Sequence, residues 1–226
     1  MKTLTTIALT MCAAISCTNS QELDQATKKI EQLVKQNKEL QGRVDNLNFI
    51  NTIPLSEIVL HTLQACNTKQ SEAMINYYSE MIPRVLEKRI PNDRYGQMSL
   101  LSMFCKESGF NPQAQSPTGP KGLGQVAKAA FHEGLSRCGL PAAKDDDVWV
   151  PELNVTAAAC YFQHLLTLAG PGRYTVAMAA YNQGPNSEAV KNLQKHGNLR
   201  GEEPTAYVSG VHNLIEKVKV SIAATK

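Results

Sequence analysis

Residues 104–126 read F-C-K-E-S-G-F-N-P-Q-A-Q-S-P-T-G-P-K-G-L-G-Q-V. One side chain in this stretch stands out for chemistry, Glu107. The pattern predicts a helix that begins near Asn92 and Asp93 and ends just after Glu107. Met98, Leu100, Leu101, Phe104 and Cys105 occupy more than one of its faces, which predicts burial. Gly109 suits a helix C-terminus, and Pro112 blocks continuation. A carboxyl on the last turn of a buried helix is poorly solvated. Its charged form is disfavoured and its pKa rises, which suits a general acid working near neutral pH. Taken alone, a helix-end Glu is more often simply solvated.

The residues that follow change that balance. Ser116 and Gln125 bracket Pro117, Gly119, Pro120, Gly122 and Gly124, a composition that predicts an irregular loop where backbone approaches a ligand closely. Ser116 and Gln125 offer hydrogen bonds suited to a polar, uncharged ligand such as a sugar.

Downstream, Lys128 to Leu135 reads as a short helix. Residues 136–150 read as a loop. The consecutive acids Asp145, Asp146 and Asp147 read as a solvated run rather than a metal site, because no His or spaced carboxylate accompanies them. Trp149, the only tryptophan, reads as a core residue or a sugar-stacking ring. A helix is expected over 154–169, with Asn154 as its N-cap and an apolar stripe that includes Val155, Ala158, Phe162 and Leu165. A short apolar helix over 174–181 leaves Tyr181 and Asn182 at its end, before Gly184-Pro185. A last helix runs from about Pro204 to Ala224.

Upstream, residues 1–17 read as an export signal, with Lys2 as the positive region and an apolar run too short to span a bilayer. Ala14 and Ser16 suit ordinary signal cleavage. Ala14-Ile15-Ser16-Cys17 also resembles a bacterial lipobox with Cys17 as the lipidated residue, and this is the preferred reading, although Ala14 stands where a larger aliphatic residue is usual. Over 21–51 the residues Leu23, Ile30, Asn37, Val44 and Asn51 fall at one heptad position. Ala26, Leu33, Leu40 and Leu47 fall at the other. About four heptads favour a coiled-coil stalk that self-associates, with Asn37 setting register, over a solitary amphipathic helix. Such a stalk would hold a domain about 45 Å from an anchor, at 1.5 Å per residue. Pro54 ends it. Residues 55–90 read as two helices, broken at Asn67-Thr68-Lys69, with Ser71 as a cap and Pro83 as a kink or break. The expected organisation is a signal over 1–17, a stalk over 18–53, a helical lead-in over 54–90 and a catalytic domain over 91–226.

Composition restricts the partners. A net charge of +3 is too small to argue for nucleic acid and is compatible with the anionic polymers of a cell envelope. Of six cysteines, Cys12 lies in the signal and Cys17 would carry lipid. Cys66, Cys105, Cys138 and Cys160 allow three pairings. Cys138–Cys160 is preferred, since Cys160 faces away from its helix's main stripe and Cys138 lies in the preceding loop. Cys66 and Cys105 are then left for each other. Free buried thiols are the competing reading. No C-x-x-C spacing occurs, so zinc is not expected, and no cofactor is called for.

Three stretches in order carry a family resemblance. E-S-G-F-N-P-Q-A-Q-S-P-T-G-P-K-G-L-G-Q, from Glu107, is similar to E-S-x-F-N-P-x-A-x-S-x-x-G-A-x-G-L-M-Q of the soluble lytic transglycosylases. A-M-A-A-Y-N-Q-G-P, Ala177 to Pro185, resembles A-x-A-A-Y-N-A-G-P. E-E-P-T-A-Y-V, Glu202 to Val208, resembles E-T-x-x-Y-V. The resemblance covers roughly residues 90–220. It implies an all-α, goose-type lysozyme-like fold in the cell envelope. It also implies non-hydrolytic cleavage of the β-1,4 bond between N-acetylmuramic acid and N-acetylglucosamine in peptidoglycan, which leaves 1,6-anhydro ends. Glu107 would be the single acid and base. Ser116, Gln125, Tyr181 and Asn182 would line the groove, Glu203 would support the site, and Tyr207 would hydrogen-bond near Glu107. Pro120, Gly124 and Pro204 depart from the motifs, as do the residues after Gln125. A lysozyme-type hydrolase on the same fold, and an inactive glycan-binding lipoprotein, are the alternatives.

Overall fold

The structure is a computed structural model that describes residues 20–225. The expected export signal, Cys12 and the expected lipid site Cys17 lie outside the described residues. Among the described residues all regular structure is helical, with two isolated antiparallel bridges and no strand.

The chain divides into two units, one ending at Phe49 and one beginning at Ile50. Within the described residues the first consists of helix α1, Ser20–Asn51, whose last two residues belong to the second. Its seam residues Ile30, Leu33 and Leu40 are 44%, 51% and 54% exposed, and Val34 beside them is 59% exposed. A heptad seam on a single helix has nothing to insert its side chains into. Lys28 and Asp24 form an i,i+4 ion pair at 2.7 Å on its solvated side.

The second unit contains α2 (Leu55–Ala65), α3 (Glu72–Arg89), α4 (Arg94–Ser108), α5 (Lys128–Arg137), α6 (Pro151–Ala169), α7 (Tyr174–Gln183), α8 (Glu188–His196) and α9 (Glu202–Ala223). Helix α4 is its axis. Every residue from Gly96 to Phe104 is buried, because α2, α7 and α9 all pack on it. Asp93 caps α4 by accepting from the Gly96 N–H at 2.9 Å. Helix α6 packs on α3, α5 and α7 and closes the other side of the core.

Several expectations are corrected. Pro83 neither breaks nor ends α3, which runs on to Arg89. Burial of Tyr78, Met81, Ile82, Val85 and Leu86 on either side of Pro83 outweighs the one lost backbone bond. Helix α6 begins at Pro151, whose fixed φ suits the first helical position. Asn154 therefore lies inside the helix and is not its cap. The 136–150 loop contains a 3-10 turn, Asp145–Trp149. Helix α8 was not anticipated, although Ser187 caps it through Val190 N and Gly197 ends it at φ 71°. The last helix starts at Glu202, with Pro204 in its first turn.

Candidate active site

Helix α4 ends as its sequence requires, with Gly109 in the left-handed region at φ 59°. Phe110 follows at φ 62°, an unfavourable conformation for a bulky residue. Complete burial compensates it, with the ring edge-on to Phe104 at 6.3 Å and 6.4 Å from Tyr78. The chain then folds over the helix end as a compact loop. Ser116 N bonds to Pro120 O at 2.9 Å, Gly122 N to Ala114 O at 2.8 Å, and Lys121 and Val126 exchange both backbone bonds.

The centre of that loop is held by Asn154 of α6, 1% exposed. Its Oδ1 accepts from Gly124 N at 2.8 Å, and its Nδ2 donates to Lys121 O and Val148 O, both at 3.0 Å. A Cβ on Gly122 would collide with the Asn154 amide. On Gly124 a Cβ would stand 2.9 Å from Tyr181 Oη, 3.0 Å from Ala158 Cβ and 3.1 Å from Phe104. Gly122, at φ 75°, therefore calls for glycine by both conformation and close approach, and Gly124 by close approach alone.

Glu107 opens into a groove of about 630 Å³ that is also lined by Ser116, Gln125, Tyr181, Asn182 and Glu203. Thus α4, the glycine loop, the end of α7 and the start of α9 meet at one place. Burial pushes the Glu107 carboxyl above the usual carboxylate range, and the hydrogen bond from Tyr207 partly opposes this. Tyr207 Oη donates to Glu107 Oε1 at 2.7 Å from α9. Tyr207 is itself pushed well above the ordinary phenol value by burial and by the nearby carboxylate, so it stays a donor. Tyr181 is raised in the same way, by burial first and Glu107 second.

The polar side chains expected to face a ligand divide their work. Tyr181 Oη donates to Gly124 O at 2.8 Å. The Gln125 amide donates to Ala114 O at 2.9 Å and Gly122 O at 3.0 Å, while its backbone sits at φ 47°. Both hold the loop, and Gln125 keeps only its Oε1 for a ligand. Ser116 Oγ pairs with Thr118 Oγ1 at 2.9 Å. Asn182 Oδ1 accepts from Gln183 at 2.7 Å. Three polar residues that line the groove, Gln115, Thr118 and Tyr161, were missed in the sequence. Tyr161 carried a usable signal, since it precedes Phe162 of the stripe and so faces off the core side of α6.

The acidic run forms surface contacts. Asp145 accepts from Lys128 at 2.6 Å and from His132 at 2.9 Å. Among the described residues no group of three or more His, Cys, Asp or Glu is placed to hold a metal ion. Trp149 is half-buried and carries Lys121 over its ring at 5.1 Å. The structure joins Cys66 to Cys105 and Cys138 to Cys160, with Cα separations of 5.7 and 5.9 Å.

Residues 87–203 match the Transglycosylase SLT domain. The chain belongs to that family. Its fold is similar to two solved structures. One is the X-ray structure of an inactive mutant of lytic transglycosylase Slt from Pseudomonas aeruginosa. It has 23% identity and a TM-score of 0.54, over 64% of this chain and 24% of that one. The other is the 70 kDa soluble lytic transglycosylase Slt70 from Escherichia coli. It has 17% identity and a TM-score of 0.55, over 85% of this chain and 35% of that one. At this identity the likeness shows the fold, the lysozyme-like helical architecture of the SLT family. This chain spans about a third or less of the length of those two proteins. Among curated proteins none matches the chain.

Proposed function

We propose that this SLT-family protein is a lytic transglycosylase acting on peptidoglycan glycan strands in the cell envelope, with Glu107 as its one acid and base. The observation that carries the proposal is the state of Glu107. It is a carboxyl at a polar groove, raised by burial, with Tyr207 fixing one oxygen.

The chemistry follows from that state. Protonated Glu107 gives its proton to the glycosidic oxygen, and the bond to the muramoyl C1 breaks. The substrate's own 2-acetamido oxygen stabilises the cationic centre, so no protein nucleophile is needed. Ionised Glu107 then takes the proton from the 6-hydroxyl, whose oxygen closes on C1 to form the 1,6-anhydro ring. Atoms and protons balance without water. Tyr207 keeps a donor on the carboxyl through both half-reactions and limits how far burial raises its pKa. Ser116, Asn182, Glu203 and the free Oε1 of Gln125 supply polar contacts along the strand.

Mass analysis of products from purified sacculi tests this reading. Wild type is expected to release 1,6-anhydro ends without added metal, and Glu107→Gln to lose about 10² to 10⁴-fold or more in rate while remaining folded. Products heavier by one water would make the protein a hydrolase. Near wild-type rates in folded Glu107→Gln would move the chemistry to another carboxyl.

We further infer that a second copy of this chain covers the seam of α1. Ile30, Leu33 and Leu40 are exposed at heptad spacing, and Asn37 stands at a position where a lone Asn selects register.

A further inference from the structure

The last turn of α4 is tied on every side. Ser108 Oγ donates to Leu123 O at 2.7 Å, which anchors it to the glycine loop. Tyr207 holds Glu107 from α9. Gly210 of α9 leaves space for Lys106, whose Nζ would stand 3.0 Å from a Cβ there. Two further ties come from one short segment, the connection between α2 and α3. Cys66 is bonded to Cys105, two residues before Glu107. Thr68 Oγ1 donates to Gly109 O at 3.0 Å, two residues after Glu107. That carbonyl lies just past the helix end, where no intrahelical partner exists.

The connection is itself fixed. Cys66 N bonds to Thr62 O at 2.9 Å, Asn67 N to Gln64 O at 2.9 Å, and Thr68 N to Leu63 O at 3.3 Å. Asn67 takes the left-handed turn that closes α2, at φ 52°. Helix α2 packs on both α4 and α9. Its end is therefore referenced to the same two helices that carry Glu107 and Tyr207.

We propose that Cys66 and Thr68 are positioning residues, a two-point clamp that fixes the Glu107 carboxyl against Tyr207 and the groove. The proposal rests on reading Glu107 as the acid. Both residues precede the family-matched segment, which begins at residue 87. The acid's geometry in this chain thus depends on residues outside that segment. The mechanism is backbone placement: a helix end freed at the turn carrying the acid shifts the carboxyl, and a displacement near 1 Å costs about 10²-fold in rate. Neither residue touches substrate in this scheme, so the loss belongs to kcat.

The test compares full-length Thr68→Val and the double variant Cys66→Ala/Cys105→Ala with wild type. Cys138→Ala/Cys160→Ala is the control, since it removes the other disulfide, between the end of α5 and α6. Two readouts are needed: kcat and KM on solubilised glycan strands, and amide hydrogen exchange over residues 105–110. Both clamp variants are expected to lose about 10-fold in kcat at unchanged KM, with faster exchange at 105–110. Thr68→Ser should restore both, and the control pair should change neither. Wild-type kcat and exchange in both clamp variants would overturn the clamp, as would an equal loss in the control pair. If wild type releases no anhydro product, the transglycosylase reading fails instead, and exchange at 105–110 alone decides whether the clamp exists.

Discussion

Asn154→Ala should be the most damaging polar substitution outside Glu107, and its cost can be worked from three bonds. The amide is buried, accepts from Gly124 N at 2.8 Å and donates to Lys121 O and Val148 O at 3.0 Å. Lys121 O keeps a second partner in Val126 N at 3.0 Å, so its loss is small. Gly124 N and Val148 O lose the side-chain partner each has. Two buried backbone groups left unpaired cost about 1–3 kcal/mol each, and with the packing lost the total is roughly 3–5 kcal/mol. For a chain of this size that is a fall in Tm of roughly 10 °C. Differential scanning calorimetry measures it directly. The glycine loop should loosen with it, so kcat/KM should fall as well.

Asn154→Asp separates hydrogen bonding from volume. A carboxylate keeps the acceptor for Gly124 N but turns an anionic oxygen toward two carbonyls in a buried place. Its folded pKa would stand above the unfolded value. The folded state then binds the extra proton, so stability falls as pH rises from the unfolded pKa through the folded one. Asn154→Asp should therefore sit nearest to wild type in acid and be worst at neutral pH. A Tm for Asn154→Ala within about 2 °C of wild type would refute the reasoning, because it would mean those bonds contribute almost nothing net.

Tyr207→Phe removes the one effect that lowers the Glu107 pKa and leaves burial unopposed. The alkaline limb of kcat/KM, where the acid ionises, should move to higher pH, and a pH–rate profile showing no movement or a downward one would exclude the assigned role. For the stalk, protein beginning at residue 18 should be a stable oligomer by light scattering and protein from residue 53 a monomer; monomers in both cases would leave the α1 seam without the partner inferred for it.

Much of this site could be read from the chain because its signals are local. Glu107, Gly109 and Pro112 lie within six positions, and together they announce a helix end carrying an acid. The alternation of glycine and proline between Ser116 and Gln125 announces a loop where backbone comes close. What could not be read was support at a distance. Asn154 stands thirty positions from Gly124, and its partners are backbone atoms, which carry no residue identity to match against. An Asn next to an apolar run resembles a cap, and the cap reading failed because Pro151 starts the helix a turn earlier. Gln125 was expected to face a ligand from its place in the glycine loop, and Tyr181 from its place at a helix terminus and from the family resemblance. Their donors are used on the loop's own carbonyls, since a loop so poor in regular structure must satisfy its backbone with side chains.

The same accounting explains the departure at Gly124, where the motif of the resembling family carries Met. A side chain there would be crowded: Tyr181 Oη, Ala158 Cβ and Phe104 would stand 2.9, 3.0 and 3.1 Å from a Cβ. The space is used for backbone bonds instead. Gly124 N goes to Asn154, and Gly124 O receives the Tyr181 hydroxyl at 2.8 Å. One residue thus links α6, α7 and the loop through both of its backbone polar groups. Phe104, which closes the third side, lies three residues before Glu107 on the same helix. The crowding at Gly124 is therefore one of the contacts, with the Ser108–Leu123 bond, that relate the acid's helix to the loop. A Met at 124 would require the side chains of Tyr181, Ala158 and Phe104 to give way.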